Sequence, residues 1–314
     1  MSDAKTTRRI ATVAINIVVP VIGVIIAYPL VWMISASFKQ TTEIYQFPPM
    51  LIPNGFTFTN YARLFTAWPF GTWYINSLVI ALACTITVLF FTSLAGFGFA
   101  KYRFRGKGLL FVIMIGSTMV PFQLILIPLF ILMSQLKWTN GYLSLIIPFM
   151  APAVGIFLMR QFMYSIPSEL MESARIDGAT EFTIYWRIML PLARPALAAL
   201  AVLTFLGSWN SYLWPLTVLR TREYMTLPVG LATILGGMLV GSEPPIGATM
   251  AAATLVTIPV ILVFVSVQKQ YIAGLTAASI KGQCKSIVVR FVFDSPLPLV
   301  ESPMAFLKQS VCIR

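Results

Sequence analysis

The chain contains no histidine. That removes imidazole acid–base catalysis and imidazole metal ligation from the functions open to it. Acid is scarce as well, with ten Asp and Glu against 22 Lys and Arg in 314 residues. None of those charges falls at the centre of a long apolar stretch, so the chain lacks the intramembrane carboxylate that proton-driven carriers generally use. No G-x-x-x-x-G-K-[ST] phosphate loop occurs, so ATP hydrolysis is not expected of this polypeptide. Without His or paired in-membrane carboxylates, its Ser and Cys residues have no evident base, which argues against a membrane-embedded enzyme. The three cysteines, Cys84, Cys284 and Cys312, form an odd set that reads as small apolar residues rather than a disulfide framework.

What the chain does have is apolar length. It is 58% hydrophobic and 10% charged, with a mean hydropathy of +0.85. A bilayer core about 30 Å thick takes roughly 20 apolar residues per helix. Six stretches qualify: 12–36, 74–99, 108–134, 142–163, 195–219 and 248–268. They are unbroken runs rather than ten-residue alternations, so helices are expected and not a barrel. The first run is too long for the core of a secretory signal and reads as an uncleaved anchor.

Orientation follows from the basic residues. With the N-terminus in the cytoplasm, the inside segments hold Lys5, Arg8, Arg9, Lys101, Arg103, Arg105, Lys107, Arg160, Arg175, Arg187 and Arg194. They also hold Lys269, Lys281, Lys285, Arg290, Lys308 and Arg314, against only Lys39, Arg63, Lys137, Arg220 and Arg222 outside. The split of 17 to 5 predicts N-in, C-in. The formal charge of +12 is therefore mostly a topology signal, not the aromatic-laced basic face of a nucleic-acid binder.

The organisation expected is a cytosolic N-terminus over 1–11, a six-helix transmembrane domain over 12–282 with a cytosolic loop at 165–194, and a poorly ordered tail over 283–314. The outer loop Ser37–Trp73 is rich in Phe, Trp and Pro, which suits the headgroup zone. A short interfacial helix is expected around Asn60–Phe65, N-capped by Thr59. The loop Arg220–Gly247 can dip toward a cavity only if protein covers its backbone.

The cytosolic loop between the fourth and fifth stretches carries four of the ten acids, Glu169, Glu172, Asp177 and Glu181. Pro167 suits a first helical turn, Gly178 a left-handed C′ position, and Thr180 the N-cap of a second helix that Pro191 stops. Within that helix Phe182, Tyr185, Trp186 and Met189 recur as one apolar stripe. Two readings stand. The pair can be a compact knob gripping a soluble partner, or it can lie on the bilayer with its aromatics in lipid. Surface-lying helices favour Lys and Arg on their polar face, whereas here acids lead, which favours the grip.

These residues also carry a resemblance. Glu172-Ser-Ala-Arg-Ile-Asp177-Gly178-Ala179, with Ile188 and Pro191 following, is similar to the E-A-A-x-x-x-G signature of ABC-importer permeases, with Ser173 in place of the usual first alanine. The likeness extends over about residues 10–282. It takes in Ser37–Lys39, Asn76-Ser77, Ala95–Lys107, the I-P-L-F near Ile127, Trp209–Pro215 and the T-L-P-V-G-L from Thr226, and it is nearest the carbohydrate-uptake, maltose-transporter second-permease branch.

That resemblance implies an all-α integral membrane protein of six transmembrane helices, N-in/C-in, like the type I importer permeases, with a two-helix coupling loop between helices 4 and 5. It implies a homologous second permease, a dimer of cytosolic ABC ATPase subunits holding ATP and Mg²⁺, an extracytoplasmic sugar-binding protein, and residence in a bacterial or archaeal cytoplasmic membrane. No cofactor or metal is expected in this chain. The coupling residues would be Glu169, Glu172, Ala174, Asp177, Gly178, Ala179, Phe182, Trp186, Ile188 and Pro191, with Glu172 pairing to a basic group of the ATPase. Ser211 departs from relatives that carry an acid after the Asn of the fifth span.

For a sugar path, amides, hydroxyls and an aromatic face are the needed chemistry, and Asn76, Gln123, Trp209, Asn210 and Tyr212 supply it. Ser77, Ser117, Thr118, Ser208 and Ser211 are further polar groups in or beside the spans. For each one, interhelical hydrogen bonding is the competing reading. The rival function is a secondary transporter or channel not driven by ATP. Against it stand the missing intramembrane charge and the absence of a visible inverted hydropathy repeat.

Overall fold

The computed structural model describes residues 2–48, 50–236 and 245–266, with side chains from Asn16 onward. The expected tail at 283–314, with Cys284 and Cys312, and the end of the 248–268 stretch lie outside those residues. Among the described residues every regular element is a helix, and there is no strand. In chain order the helices are α1 (Ser2–Ser37), α2 (Thr41–Ile44), α3 (Thr59–Ala67), α4 (Phe70–Lys101), α5 (Lys107–Ser117), α6 (Phe122–Gln135) and α7 (Leu143–Ile146). They continue as α8 (Ala153–Tyr164), α9 (Glu169–Ile176), α10 (Glu181–Ile184), α11 (Leu190–Leu192), α12 (Arg194–Trp209), α13 (Leu213–Val218), α14 (Leu227–Gly236) and α15 (Ile246–Ser266).

Three helical segments are each long and apolar enough to cross a membrane: Asn16–Ser37, Phe70–Lys101 and Ile246–Ser266. Three bent pairs reach that length together. Lys107–Ser117 meets Phe122–Gln135 at 99°, Leu143–Phe149 meets Ala153–Tyr164 at 44°, and Glu181–Leu192 meets Arg194–Trp209 at 76°. Proline explains the first two breaks. Pro121 and Pro152 stand immediately before α6 and α8, where each lacks an N–H and pushes its predecessor out of helical geometry. The uninterrupted run read at 108–134 is therefore two helices. The run at 195–219 likewise stops at Trp209 and resumes as α13.

The long helix α4 is the mast of the fold. It supplies Val88, Phe97 and Ala100 to one buried cluster, Phe70, Trp73 and Ala81 to a second, and Ile80 and Cys84 to a third. Its broadest packing is against α8, then α12. In lipid there is no hydrophobic drive between apolar helices, so close van der Waals approach has to hold them. Gly96 and Gly155 allow that approach. A Cβ at Gly96 would fall 2.6 Å from Met159 Cβ, and one at Gly155 would fall 2.9 Å from Thr92 Cγ2. By contrast, α1 is exposed from Asn16 to Val31, α5 buries no residue, and α6 buries only Met133.

At the N-terminal end of α4, polar side chains tie loops to helices. Asn60 donates to the carbonyls of Ser37 (2.9 Å) and Lys39 (2.8 Å). Trp73 Nε1 donates to Arg222 O at 2.8 Å, and Ser77 Oγ accepts from Leu227 N at 2.7 Å. The helix expected near Asn60 forms as α3, but Thr59 is its first residue and Phe58 holds the cap position. The reason is local: Thr57 Oγ1 already accepts from Thr59 N at 3.2 Å, so the turn begins one residue earlier. As the sequence required of a dipping loop, α14 is covered by protein: Leu227, Val229, Gly230 and Ile234 are buried.

Candidate functional site

The knob forms as two short helices at the end of α8. Gly178 has φ +81°, the left-handed C′ conformation, directly after the C-cap Asp177. Thr180 caps α10 by accepting from Thr183 N at 3.3 Å. Two local expectations change. Pro167 precedes the cap residue Ser168 and so lies outside the first turn of α9. Pro191 does not stop the second helix, which runs through a π turn at Tyr185–Met189 into α11 and bends only at Ala193. The wider π turn sits just where a proline ring would press on the carbonyl four residues back, so the helix accommodates Pro191 instead of ending.

The aromatic stripe also divides. Ile184, Tyr185 and Met189 are buried, while Phe182 is 68% and Trp186 42% exposed. The buried arc is centred on Tyr185, whose hydroxyl lies 2.7 Å from Ser93 Oγ of α4. Once the π turn points Tyr185 inward, one face cannot also bury Phe182 and Trp186. Met171 and Ala174 of α9 join Tyr185 and Met189 in a cluster with Phe97 of α4, Met159 and Met163 of α8, and Leu200 of α12. Inner faces of both knob helices are thus keyed into the ends of three membrane helices.

Glu181 closes the knob. It accepts from Arg175 Nε at 2.7 Å and Arg175 Nη2 at 3.2 Å, and from the Tyr102 hydroxyl just beyond α4. The guanidinium first, then the phenol, hold the Glu181 carboxyl below the usual carboxylate range. Burial first, then the carboxylate, push Tyr102 up to about 12. Lys101 donates to Ile166 O, tying α4 to the chain entering the knob.

The predicted coupling residues therefore sort into two sets. Glu169, Glu172, Asp177, Gly178, Phe182 and Trp186 are exposed, although Trp186 still packs edge-on against the buried Tyr185. Ala174 is buried, and Ala179 and Ile188 pack against the same cluster, with Pro191 half-buried beside them. The first set can meet a partner, and the second holds the knob's shape.

The path residues are not brought together. Asn76 is buried and its amide is fully engaged, donating to Glu223 O (2.7 Å) and Met225 O (3.0 Å) and accepting from the Tyr142 hydroxyl (2.7 Å). Trp209 is buried, stacks on Phe205 and donates to Val256 O at 3.3 Å. Gln123, Asn210 and Tyr212 are exposed. A cavity of about 270 Å³ lies instead between α4 and α12, with Ser208, Ser211, Thr204, Gly207, Cys84 and Trp214 on its wall. Thr204, Gly207, Ser208 and Ser211 fall at i, i+3, i+4 and i+7. That small and polar stripe was visible in the sequence, although only its two serines were picked out.

Residues 89–276 match the family described as binding-protein-dependent transport system inner membrane component. The chain is 39% identical over 264 residues to the arabinooligosaccharides transport system permease protein AraQ of Halalkalibacterium halodurans, covering 83% of this chain and 93% of the relative. It is 31% identical over 268 residues to the lactose transport system permease protein LacG of Rhizobium radiobacter, covering 85% and 96%. It is 32% identical over 262 residues to the sn-glycerol-3-phosphate transport system permease protein UgpE of Yersinia enterocolitica, covering 81% and 92%. A chain from the crystal structure of a bacterial ABC transporter involved in the import of the acidic polysaccharide alginate superposes with TM-score 0.75 at 27% identity, over 84% of this chain and 98% of that one.

Proposed function

Because the chain belongs to the inner membrane components of binding-protein-dependent transport systems, we propose that it is the permease subunit of an ATP-driven carbohydrate importer and takes its motion through the α9–α10 knob. The relatives are named for arabinooligosaccharides, lactose and sn-glycerol-3-phosphate, which supports a sugar or sugar-like polyol as cargo. It is a transport subunit of the bacterial inner membrane, and its work is conformational rather than catalytic.

The observation that carries the reading is the two-sided knob. Its inner side is locked to α4, α8 and α12 by Met171, Ala174, Tyr185 and Met189. Its outer side presents Glu172, Asp177, Phe182 and Trp186 to a partner. A push on such an element moves the helices beneath it, because packed interiors shift as blocks rather than deform smoothly. In this proposal a cytosolic ATPase dimer binds ATP and Mg²⁺ and supplies the push. A second, homologous permease closes the pore against the exposed apolar sides of α1 and α6, and an extracytoplasmic binding protein delivers the sugar. The cavity beside Ser208 and Ser211, rather than the scattered amides, is this chain's share of the route.

The test is Glu172→Lys alongside Gly178→Val. The first reverses an exposed charge. The second forces a β-branched residue into φ +81°, with no atom within 4 Å of the new Cβ, so the strain is conformational only. Both variants are expected to insert normally but to lose ATPase copurification and sugar uptake. Normal copurification and normal uptake in both would overturn the docking assignment.

A further inference from the structure

The cytoplasmic end of α5 combines features that repel one another. Its cap residue Gly106 is followed by Lys107 at the first helical position, with no acid in the first turn and no side chain capping it. The positive end of a helix disfavours a cation and favours an anion. The charged groups acting on Lys107 are both cations, Arg160 of α8 and Arg103. Among the described residues the one ion pair is Arg175–Glu181, so none of their carboxylates pairs with this group. Arg160 is held in place nonetheless. Its guanidinium carbon sits 4.2 Å from the centroid of the Phe111 ring, and its Nε is closed off without a hydrogen-bond partner. Lys107 is oriented too, donating to Tyr102 O at 2.9 Å.

Below the cations lies an aromatic wall. Phe111 is 5.7 Å from Phe99 and 6.2 Å from Phe157, and α5 exposes its apolar side all along. A cationic rim above an apolar wall, at the level where α4 leaves the membrane, fits a molecule that is anionic at one end and hydrocarbon at the other. Basic pockets between membrane helices on the cytoplasmic side take phospholipid headgroups. We propose that Lys107, Arg160 and the open N-terminus of α5 form a binding site for the phosphate of an acidic phospholipid, whose acyl chains run down the Phe111 face. The proposal rests on the N-in orientation but not on the ATPase docking assignment.

The full chain, purified with the subunits it carries, is titrated with phosphatidylglycerol or phosphatidylcholine and read by native mass spectrometry. Wild type should retain phosphatidylglycerol in preference. The Lys107→Gln, Arg160→Gln double variant should lose about thirtyfold of that preference, each cation near an anionic surface being worth roughly fivefold. Arg160→Lys should keep part of it, and the control Arg63→Gln, an exposed residue of α3 on the opposite face, should keep all of it. An unchanged preference in the double variant overturns the site. So does displacement of the lipid by inorganic phosphate, which would make the ligand a free anion. So does loss of a copurifying subunit with lipid selectivity intact, which would make the counter-ion a protein carboxylate.

Discussion

Gly96→Ala and Gly98→Ala are the same substitution two residues apart on one helix, and the structure assigns them opposite outcomes. Alanine is preferred over glycine in a helix interior by roughly 0.8–1.0 kcal/mol. At Gly98 nothing lies within 4 Å of the new Cβ, so the variant should collect that gain in full. At Gly96 the new Cβ meets Met159 Cβ at 2.6 Å, Arg160 N at 2.9 Å and Met159 C at 3.0 Å. None of these atoms is the far end of a flexible side chain, so α4 and α8 must separate. Overpacking of this kind costs about 1–3 kcal/mol. Gly96→Ala should therefore fall between neutral and about 2 kcal/mol less stable than wild type, and roughly 1–3 kcal/mol below Gly98→Ala. Unfolding of the detergent-purified protein, followed by circular dichroism against denaturant, measures the gap. Uptake should follow stability, because the α4–α8 crossing belongs to the cluster that seats the knob. If Gly96→Ala proves as stable as Gly98→Ala, close packing at this crossing is not what holds the mast, and the reasoning fails.

Two further outcomes follow from the knob. Tyr185→Phe removes the hydrogen bond to Ser93, whose hydroxyl also bonds Leu89 O, so the loss should be about 0.5–1.5 kcal/mol, with a larger fall in uptake than in unfolding midpoint. The Glu181 carboxyl has a folded pKa below its unfolded one, so its stabilisation is present above the usual carboxylate pKa of about 4.3 and is lost as pH falls through the lower folded value. Tyr102, pushed up to about 12, loses its contribution only as pH rises beyond about 10. Limited proteolysis of the 165–194 loop should accordingly be flat from about pH 5.5 to 9 and accelerate below about pH 4; acceleration between pH 6 and 8 would contradict the clamp.

The helical membrane class and the knob were legible because both are written in local terms. Long apolar runs specify helices, a glycine in αL ends one, and a threonine caps the next. The breaks at Pro121 and Pro152 were visible as residues but not as 99° and 44° bends, because a proline permits a bend while its neighbours set the angle. The Arg175–Glu181–Tyr102 clamp joins residues six and 79 positions apart, and Tyr185–Ser93 joins residues 92 apart. No pattern along the chain announces such pairs. Asn76 and Trp209 were chosen for chemistry that suits a sugar. That chemistry serves backbone carbonyls equally well, and here Asn76 bonds those of Glu223 and Met225 and Trp209 that of Val256 in α15.

On the docking reading, the outer side of the knob has a definite energetic limit. Ile176 is 87% and Phe182 68% exposed, on an element whose inner face is already full. Covering two such side chains gives about 1.5–3 kcal/mol each. Association costs an estimated 4–15 kcal/mol in lost translational and rotational freedom. A single knob with one charged contact at Glu172 is therefore a weak grip taken alone. A pair of knobs, one from each permease, engaging two joined ATPase subunits turns the second contact into an intramolecular one, and avidity then supplies what area cannot. The same arithmetic permits the grip to remain while the ATPase changes shape, since each contact is weak enough to adjust and the pair is strong enough to hold.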